Sequence, residues 1–389
     1  MITVNQDSTL KNLQQELRAL ACIGLAGLIA LGILLSIIWQ RAEAIQWTLQ
    51  SAVIWGFIMV SSLRRLDLVR PKQESPLYKN LGWGNRITLF RSWLIAATAG
   101  FLFQPWPDGP LLSWLPGMIY FAGAILDRVD GYVARRSGQS SLFGIELDTV
   151  ADAIGLAVAS LLAVGYGQAH WSFLLMGLAY YAFHAGIYWR KKQNLPVYAL
   201  PPAMHRRVWA GFQMGYLVVA LWPLFYPPLT LIGGFAFMLP ALIGFVIDWL
   251  IVSGRINRQA ANTDRRFYQL TVFSQAIFQP LLRITIVLLL AISILRSGLP
   301  PMANTGIVGF SFIASAGFIL TSLAILLGIA GRYFALLLIG LLGWYYLNNP
   351  MYYLDYLLFC CVIWSLLLGS GRFSLWQEDD RWLNRYDGA

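Results

Sequence analysis

Several runs of about 18–25 residues in this chain carry no charged side chain, the first of them spanning Leu20 to Trp39. A helix of about 20 residues rises about 30 Å, the thickness of a bilayer's hydrocarbon core. Composition points the same way. Of 389 residues, 58% are hydrophobic and 12% charged, against roughly 45–50% and 25% in soluble domains. A soluble core cannot absorb that much apolar sequence. The expected fold class is therefore an all-α polytopic integral membrane protein. A cytosolic enzyme, a secreted disulfide scaffold and a nucleic-acid-binding domain are excluded.

Apolar runs between charged or Pro/Gly-rich breaks give about twelve transmembrane helices. They lie near 20–39, 45–63, 81–103, 111–135, 143–166, 170–189, 210–226, 228–253, 270–295, 305–328, 332–347 and 352–370. The first run lacks a small-residue cleavage site and is expected to be a retained helix. The net charge of +10 sits in short loops, where anionic headgroups or cytoplasmic retention explain it without a nucleic-acid partner. Segments 64–80, 127–142, 190–209 and 254–267 hold five, three, five and four Lys/Arg, and they alternate with nearly bare loops. The positive-inside bias thus places these loops and both termini in the cytoplasm; for a prokaryotic source, the membrane is the cytoplasmic one. Cys22, Cys360 and Cys361 fall inside apolar runs and suggest neither a metal site nor a disulfide framework.

The expected organisation is a helical hairpin at 1–63, a basic linker at 64–80 and a six-span block at 81–253. A second basic linker at 254–269 precedes a four-span module at 270–389. No internal repeat is evident, so the inverted-repeat signature of many transporters is missing.

The chemistry concentrates in DRVDGYVARRSGQSSLFGIELDTVAD, from Asp127 to Asp152. Asp127, Asp130, Gly131, Ala134 and Arg135 share one helical stripe, and Gly144, Asp148, Asp152 and Gly155 share another. A short turn joins the two helices, so the acidic stripes can face each other. Gly131, Ala134, Gly144 and Gly155 allow close backbone approach. Ionised carboxylates at bilayer depth each cost up to about 2.5–3.5 kcal/mol. Divalent cations offset that cost, and carboxylates converging from two helices suit oxygen-seeking Mg²⁺ or Mn²⁺. A pair of such ions is the clamp used in phosphoryl transfer. The same carboxylates also suit a proton relay or the cation site of a carrier, and the residues alone leave that alternative open.

This segment resembles the signature of the CDP-alcohol phosphotransferases (CDP-alcohol phosphatidyltransferases), D-x2-D-G-x2-A-R-x8-G-x3-D-x3-D. Every fixed position is present: Asp127, Asp130, Gly131, Ala134, Arg135, Gly144, Asp148 and Asp152. The stretch Gly84-Asn85-Arg86-Ile87-Thr88-Leu89-Phe90-Arg91 is similar to the start of that family's first helix, with Gly84 in place of the usual proline. The resemblance covers less than half of the chain.

It implies a six-helix core over 81–253 and a reaction at the cytoplasmic membrane face. A CDP-linked lipid such as CDP-diacylglycerol passes its phosphatidyl group to a small alcohol and releases CMP, in phospholipid biosynthesis. By similarity Asp127, Asp130 and Asp148 ligate two divalent cations, Mg²⁺ or Mn²⁺. Asp152 completes the second metal site and acts as the catalytic base. Asn85, Gly131, Ala134, Arg135, Ser141 and Gly144 would form the CDP-donor site, and pairing as a homodimer is implied as well. In the basic loop 190–209, Arg206 and Arg207 are candidates for binding a phosphorylated acceptor, since Arg recognises such an anion in bidentate fashion. Membrane lipids are the other expected partners.

The rival classes are a cation-binding carrier and a non-catalytic membrane scaffold. Neither accounts for the Asn85 to Arg91 stretch together with four retained aspartates. In the last four spans, Leu281-Leu282-Arg283, Gly331-Arg332 and Gly369-Ser370-Gly371-Arg372-Phe373 resemble the DoxX-type four-helix membrane module. His170 and His184 are expected to be structural, and Asp248 and Asp355 have no assigned role.

Overall fold

Each apolar run becomes a helix because its backbone groups bond within the segment, the arrangement that lipid demands. The computed structural model describes residues 2–200, 204–257, 261–297, 308–376 and 378. It is 78% helix, and among the described residues the sole β feature is one isolated bridge between Ile329 and Trp376. The helices are α1 (Ile2–Ile38), α2 (Arg41–Leu63), α3 (Gly82–Ala99), α4 (Leu115–Arg136), α5 (Leu142–Gly165), α6 (Leu174–Lys192) and α7 (Met204–Ala220). They continue with α8 (Leu229–Val252), α9 (Ala261–Phe273), α10 (Gln279–Ser297), α11 (Val308–Leu327), α12 (Gly331–Asn348) and α13 (Tyr353–Leu368). A π-helical segment, Ser274–Phe278, joins α9 to α10.

Among the described residues, five helical stretches are long and apolar enough to cross a membrane: Asp7–Ile38, Arg41–Leu63, Leu142–Gly165, Leu229–Val252 and Tyr268–Arg296. Their outward faces are apolar, as lipid contact requires; Ile33 and Ile37 on α1 are 61% and 75% exposed. The chain is therefore a multi-pass integral membrane protein. The expected dozen spans are not all met by length and composition. In α3 and α4 the reason is chemical, because Asn85, Arg86 and Arg91, and Asp127, Arg128 and Asp130, dilute their apolar character.

The chain forms two compact units. In the first, residues 1–181 with 217–224, the α1–α2 hairpin packs on α3, and α3 packs on both α4 and α5. The hairpin is tied by polar contacts as well as by apolar packing. Trp55 Nε1 donates to the Ala21 carbonyl at 3.0 Å, and Trp93 Nε1 of α3 donates to the Gly24 carbonyl of α1 at 2.8 Å. Glu16 on α1 holds the start of α3, accepting from Leu81 N at 3.1 Å and pairing with Arg86 at 2.7 Å.

The turn between α4 and α5 follows from local sequence. Pro116 sits in the first turn of α4, where its missing N–H is no loss. Helix α4 is capped at Ser137 and stopped by the following Gly138, whose φ of +67° is one that glycine adopts without strain. There Gly138 N donates to Arg135 O at 3.2 Å, and Gln139 N donates to Ala134 O at 3.2 Å, closing the helix end. Ser141 then caps α5 by accepting from Gly144 N at 3.0 Å, a contact worth about 1 kcal/mol.

In the second unit, residues 182–216 with 225–389, α13 packs on α8, α10 and α12, and α11 packs on α10 and α12. Trp364 Nε1 of α13 donates to the Ala236 carbonyl of α8 at 3.0 Å. Asp355 is a structural ion-pair partner, buried against Arg296 at 2.9 Å and accepting from Ser293 Oγ at 2.8 Å.

Candidate active site

The site is built around α3. Helices α4 and α5 are joined by a short turn, yet each packs mainly on α3. The two acidic stripes therefore converge across a side chain of α3 instead of packing helix against helix. That side chain is Arg91, 2% exposed. Its Nη1 lies 2.8 Å from Asp127 Oδ1, 2.6 Å from Asp148 Oδ1 and 3.6 Å from Asp130 Oδ2. Its Nη2 pairs with Asp152 Oδ1.

Carboxylate oxygens of Asp127, Asp148 and Asp152 all lie within 4.8 Å of one another. These three side chains are 25%, 44% and 39% exposed, whereas Asp130 is 7% exposed. Asp130 has a more fixed position. Its Oδ2 lies 2.9 Å from Thr88 Oγ1, a donor, and its Oδ1 accepts from Gly131 N at 2.6 Å. Arg91, with Arg128 also acting on Asp127, leaves four carboxylates incompletely balanced, so this donor set retains an excess of carboxylate. An all-oxygen, three-point cluster with a fourth carboxylate alongside fits Mg²⁺ or Mn²⁺.

The predicted donor-site residues fall into two groups. Asn85, Ser141 and Gly144 form one linked group. Asn85 Nδ2 donates to Leu81 O at 2.6 Å and to Ser141 Oγ at 3.1 Å, while Ser141 caps α5 through Gly144. A Cβ at Gly144 would stand 2.5 Å from Asn85 Oδ1, which explains glycine there. Gly131, Ala134 and Arg135 form the second group on α4. The Arg135 guanidinium lies beside Gly131, its Nη1 3.2 Å from where a Cβ would stand, and Arg135 is exposed. Ala134 meets α3 at Gly84, where an added Cβ would stand 2.6 Å from Ala134 Cβ. This close crossing brings Thr88 and Arg91 against the aspartates. Arg206 and Arg207 fall in the first turn of α7, and their side chains lie outside the described residues.

Arg91 and Thr88 were not among the predicted site residues. A signal for both was present: Asn85, Thr88 and Arg91 stand at i, i+3 and i+6, one helical face. Glu16 was also missed, and no local pattern marks it, since its partners are 65 and 70 positions away.

Buried polar chemistry on packed apolar helices defines a helical membrane protein with a polycarboxylate site. Residues 83–250 match the family model of the CDP-alcohol phosphatidyltransferases. Similar curated proteins are named CDP-diacylglycerol--glycerol-3-phosphate 3-phosphatidyltransferase. The one from Pectobacterium atrosepticum is 38% identical over 85 residues, and that from Salmonella choleraesuis is 36% identical over 85. The Escherichia coli K12 protein is 34% identical over 88 residues. Each match covers 22% of this chain and 45% of the relative, so the chain spans just under half the length of the curated proteins it matches. No solved structure gives a significant match.

Proposed function

We propose that this chain transfers a phosphatidyl group from a CDP-diacylglycerol-type donor to the hydroxyl of a small alcohol, releasing CMP. The observation that carries the reading is the convergence of Asp127, Asp148 and Asp152 about Arg91 within the matched domain. The reaction needs two things: neutralisation of the diphosphate as CMP departs, and removal of the acceptor's proton. Two divalent cations, Mg²⁺ or Mn²⁺, held by Asp127, Asp130, Asp148 and Asp152, would neutralise the diphosphate charge when bound.

The chain's own groups do the rest. Asp152, partly exposed at the cluster, accepts the hydroxyl proton. Arg91 adds one fixed positive charge and holds the carboxylates in register, and Thr88 orients Asp130. Arg135 offers a guanidinium to the donor phosphates beside Gly131, and the Asn85–Ser141–Gly144 group forms the neighbouring wall.

The relatives' names favour glycerol 3-phosphate as the acceptor, and a phosphorylated alcohol suits Arg206 and Arg207. The same reading comprises twelve spans, a six-helix core at 81–253 flanked by the N-terminal hairpin and a C-terminal membrane module, and a homodimer. Its active site and both termini face the cytoplasm.

The test is CMP release by the full-length protein in lipid vesicles, given labelled CDP-diacylglycerol and a panel of glycerol 3-phosphate, inositol phosphate and serine. Release with one alcohol, abolished by chelator and restored by Mg²⁺ or Mn²⁺, is the expected result. No release with any alcohol overturns the transferase reading, and full activity in excess chelator overturns the metal assignment.

A further inference from the structure

Helix α3, which carries Asn85, Thr88 and Arg91, cannot secure its own start. A helix leaves its first backbone N–H groups without intrahelical partners. In many helices a polar side chain just before the first turn accepts from one of them, and a Glu or Gln three residues on accepts from the N–H of that capping residue. The capping position of α3 is held by Leu81, whose side chain has no acceptor to offer. Three residues on stands Gly84, kept free of a side chain by the close crossing with Ala134. Packing α3 on α4 has therefore removed the local cap.

Helix α1 supplies the missing acceptor. Leu13 and Leu17 are fully buried and fix this stretch of α1, and Glu16 between them is 22% exposed. Glu16 Oε2 accepts from Leu81 N at 3.1 Å. Its Oε1 takes both Arg86 Nε at 2.9 Å and Arg86 Nη2 at 2.7 Å. A carboxylate at a helix N-terminus is also favoured by the helix dipole. The Leu81 peptide then passes the constraint on. Its carbonyl accepts from Asn85 Nδ2 at 2.6 Å, the same Nδ2 donates to Ser141 Oγ at 3.1 Å, and Ser141 Oγ caps α5 by accepting from Gly144 N at 3.0 Å. One hydrogen-bonded chain thus runs from Glu16 to the wall formed by Asn85, Ser141 and Gly144.

We infer that Glu16 is a positioning residue for donor binding, which rests on the transferase reading above and deepens it. Acting through the Leu81 peptide and Arg86, Glu16 sets the first turn of α3 and with it the Asn85–Ser141 wall of the donor site. The N-terminal hairpin, which lies outside the matched residues 83–250, is then part of the substrate-binding unit. Arg91 and the carboxylates it gathers stand nearly two helical turns further along α3, so Glu16 governs donor affinity more than the chemical step.

The test measures CDP binding by calorimetry in the presence of Mg²⁺, and steady-state CMP release at varied CDP-diacylglycerol, on full-length protein in lipid vesicles. Glu16→Ala removes both contacts, and Glu16→Gln keeps an acceptor but loses the charge. Trp93→Phe is the packing control, because it cuts the other hydrogen bond between the same two helices, Trp93 Nε1 to Gly24 O at 2.8 Å, and keeps an aromatic ring in place.

Glu16→Ala is expected to raise the Kd for CDP and the KM for donor about tenfold while kcat stays within about twofold. Glu16→Gln is expected to show a smaller rise in the same two constants, and Trp93→Phe to bind CDP as the wild type does. If Glu16→Ala fails to fold, a rise in KM without loss of kcat in Glu16→Gln carries the same conclusion. Wild-type CDP affinity in the folded Glu16 variants overturns the proposal, as does equal weakening by Trp93→Phe, which would reduce Glu16 to general packing of α1. A wild-type protein that neither binds CDP nor releases CMP overturns the transferase reading and this proposal together, an outcome read without any variant.

Discussion

Asp152 and Asp127 both reach Arg91 and both stand in the three-carboxylate cluster, yet their proposed duties differ. Asp152→Asn removes the proton acceptor while leaving a side chain of nearly the same shape. Turnover at saturating donor is expected to fall by about 10²–10⁴-fold with a much smaller change in donor affinity. Asp127→Asn removes a ligand and leaves proton transfer in place, so donor binding and the Mg²⁺ requirement are expected to weaken together. Steady-state CMP release at varied donor and Mg²⁺ separates the two, and wild-type turnover by the Asp152 variant would remove it as the base. At this scale the aspartates were legible because fixed spacing along two helices puts them on stripes. Arg91 was less so, since an arginine inside an apolar helix reveals its role once its four partners are brought to it.

Among the elements, α3 organises the site, although α4 and α5 hold the acidic segment. The crossing of α3 over α4 depends on Gly84, where a Cβ would stand 2.6 Å from Ala134 Cβ. Gly84→Val drives the two helices apart, a distortion expected to cost about 1–3 kcal/mol. Because Thr88 and Arg91 lie on the same helix, the separation also loosens Asp130 and the other carboxylates. A lower melting temperature together with reduced CMP release is therefore expected, and unchanged activity in the folded variant would show that the crossing does not set the site. Helix lengths, the cap at Ser141 and the stop at Gly138 follow from neighbouring residues and were readable along the chain. The position of α3 between the acidic helices was not, because a short turn between α4 and α5 is compatible with either arrangement.

For the whole molecule, the basic segment 254–269 suggests a seam, but packing crosses it within the second unit. Phe359 of α13 lies against Gly233 of α8, and Trp364 donates to Ala236 O. Removing residues 258–389 uncovers that face of α8, and the shortened protein is expected to insert and to turn over with a lower temperature of half-inactivation. Thermal inactivation of the proposed CMP release, compared in the same lipid, checks this; equal thermal stability would show that the C-terminal helices support nothing in residues 83–250. Membrane residence, helical class, the acidic pair of stripes and the family resemblance all rest on composition and short-range spacing, which survive in a linear reading because helices repeat every 3.6 residues. Three features rest instead on contacts between residues far apart in the chain: Glu16 gripping the start of α3, Arg91 gathering four carboxylates, and Asp355 buried against Arg296. A linear pattern carries no record of which helix faces meet, so these pairings emerge where apolar packing and the need to satisfy buried charge jointly select one arrangement.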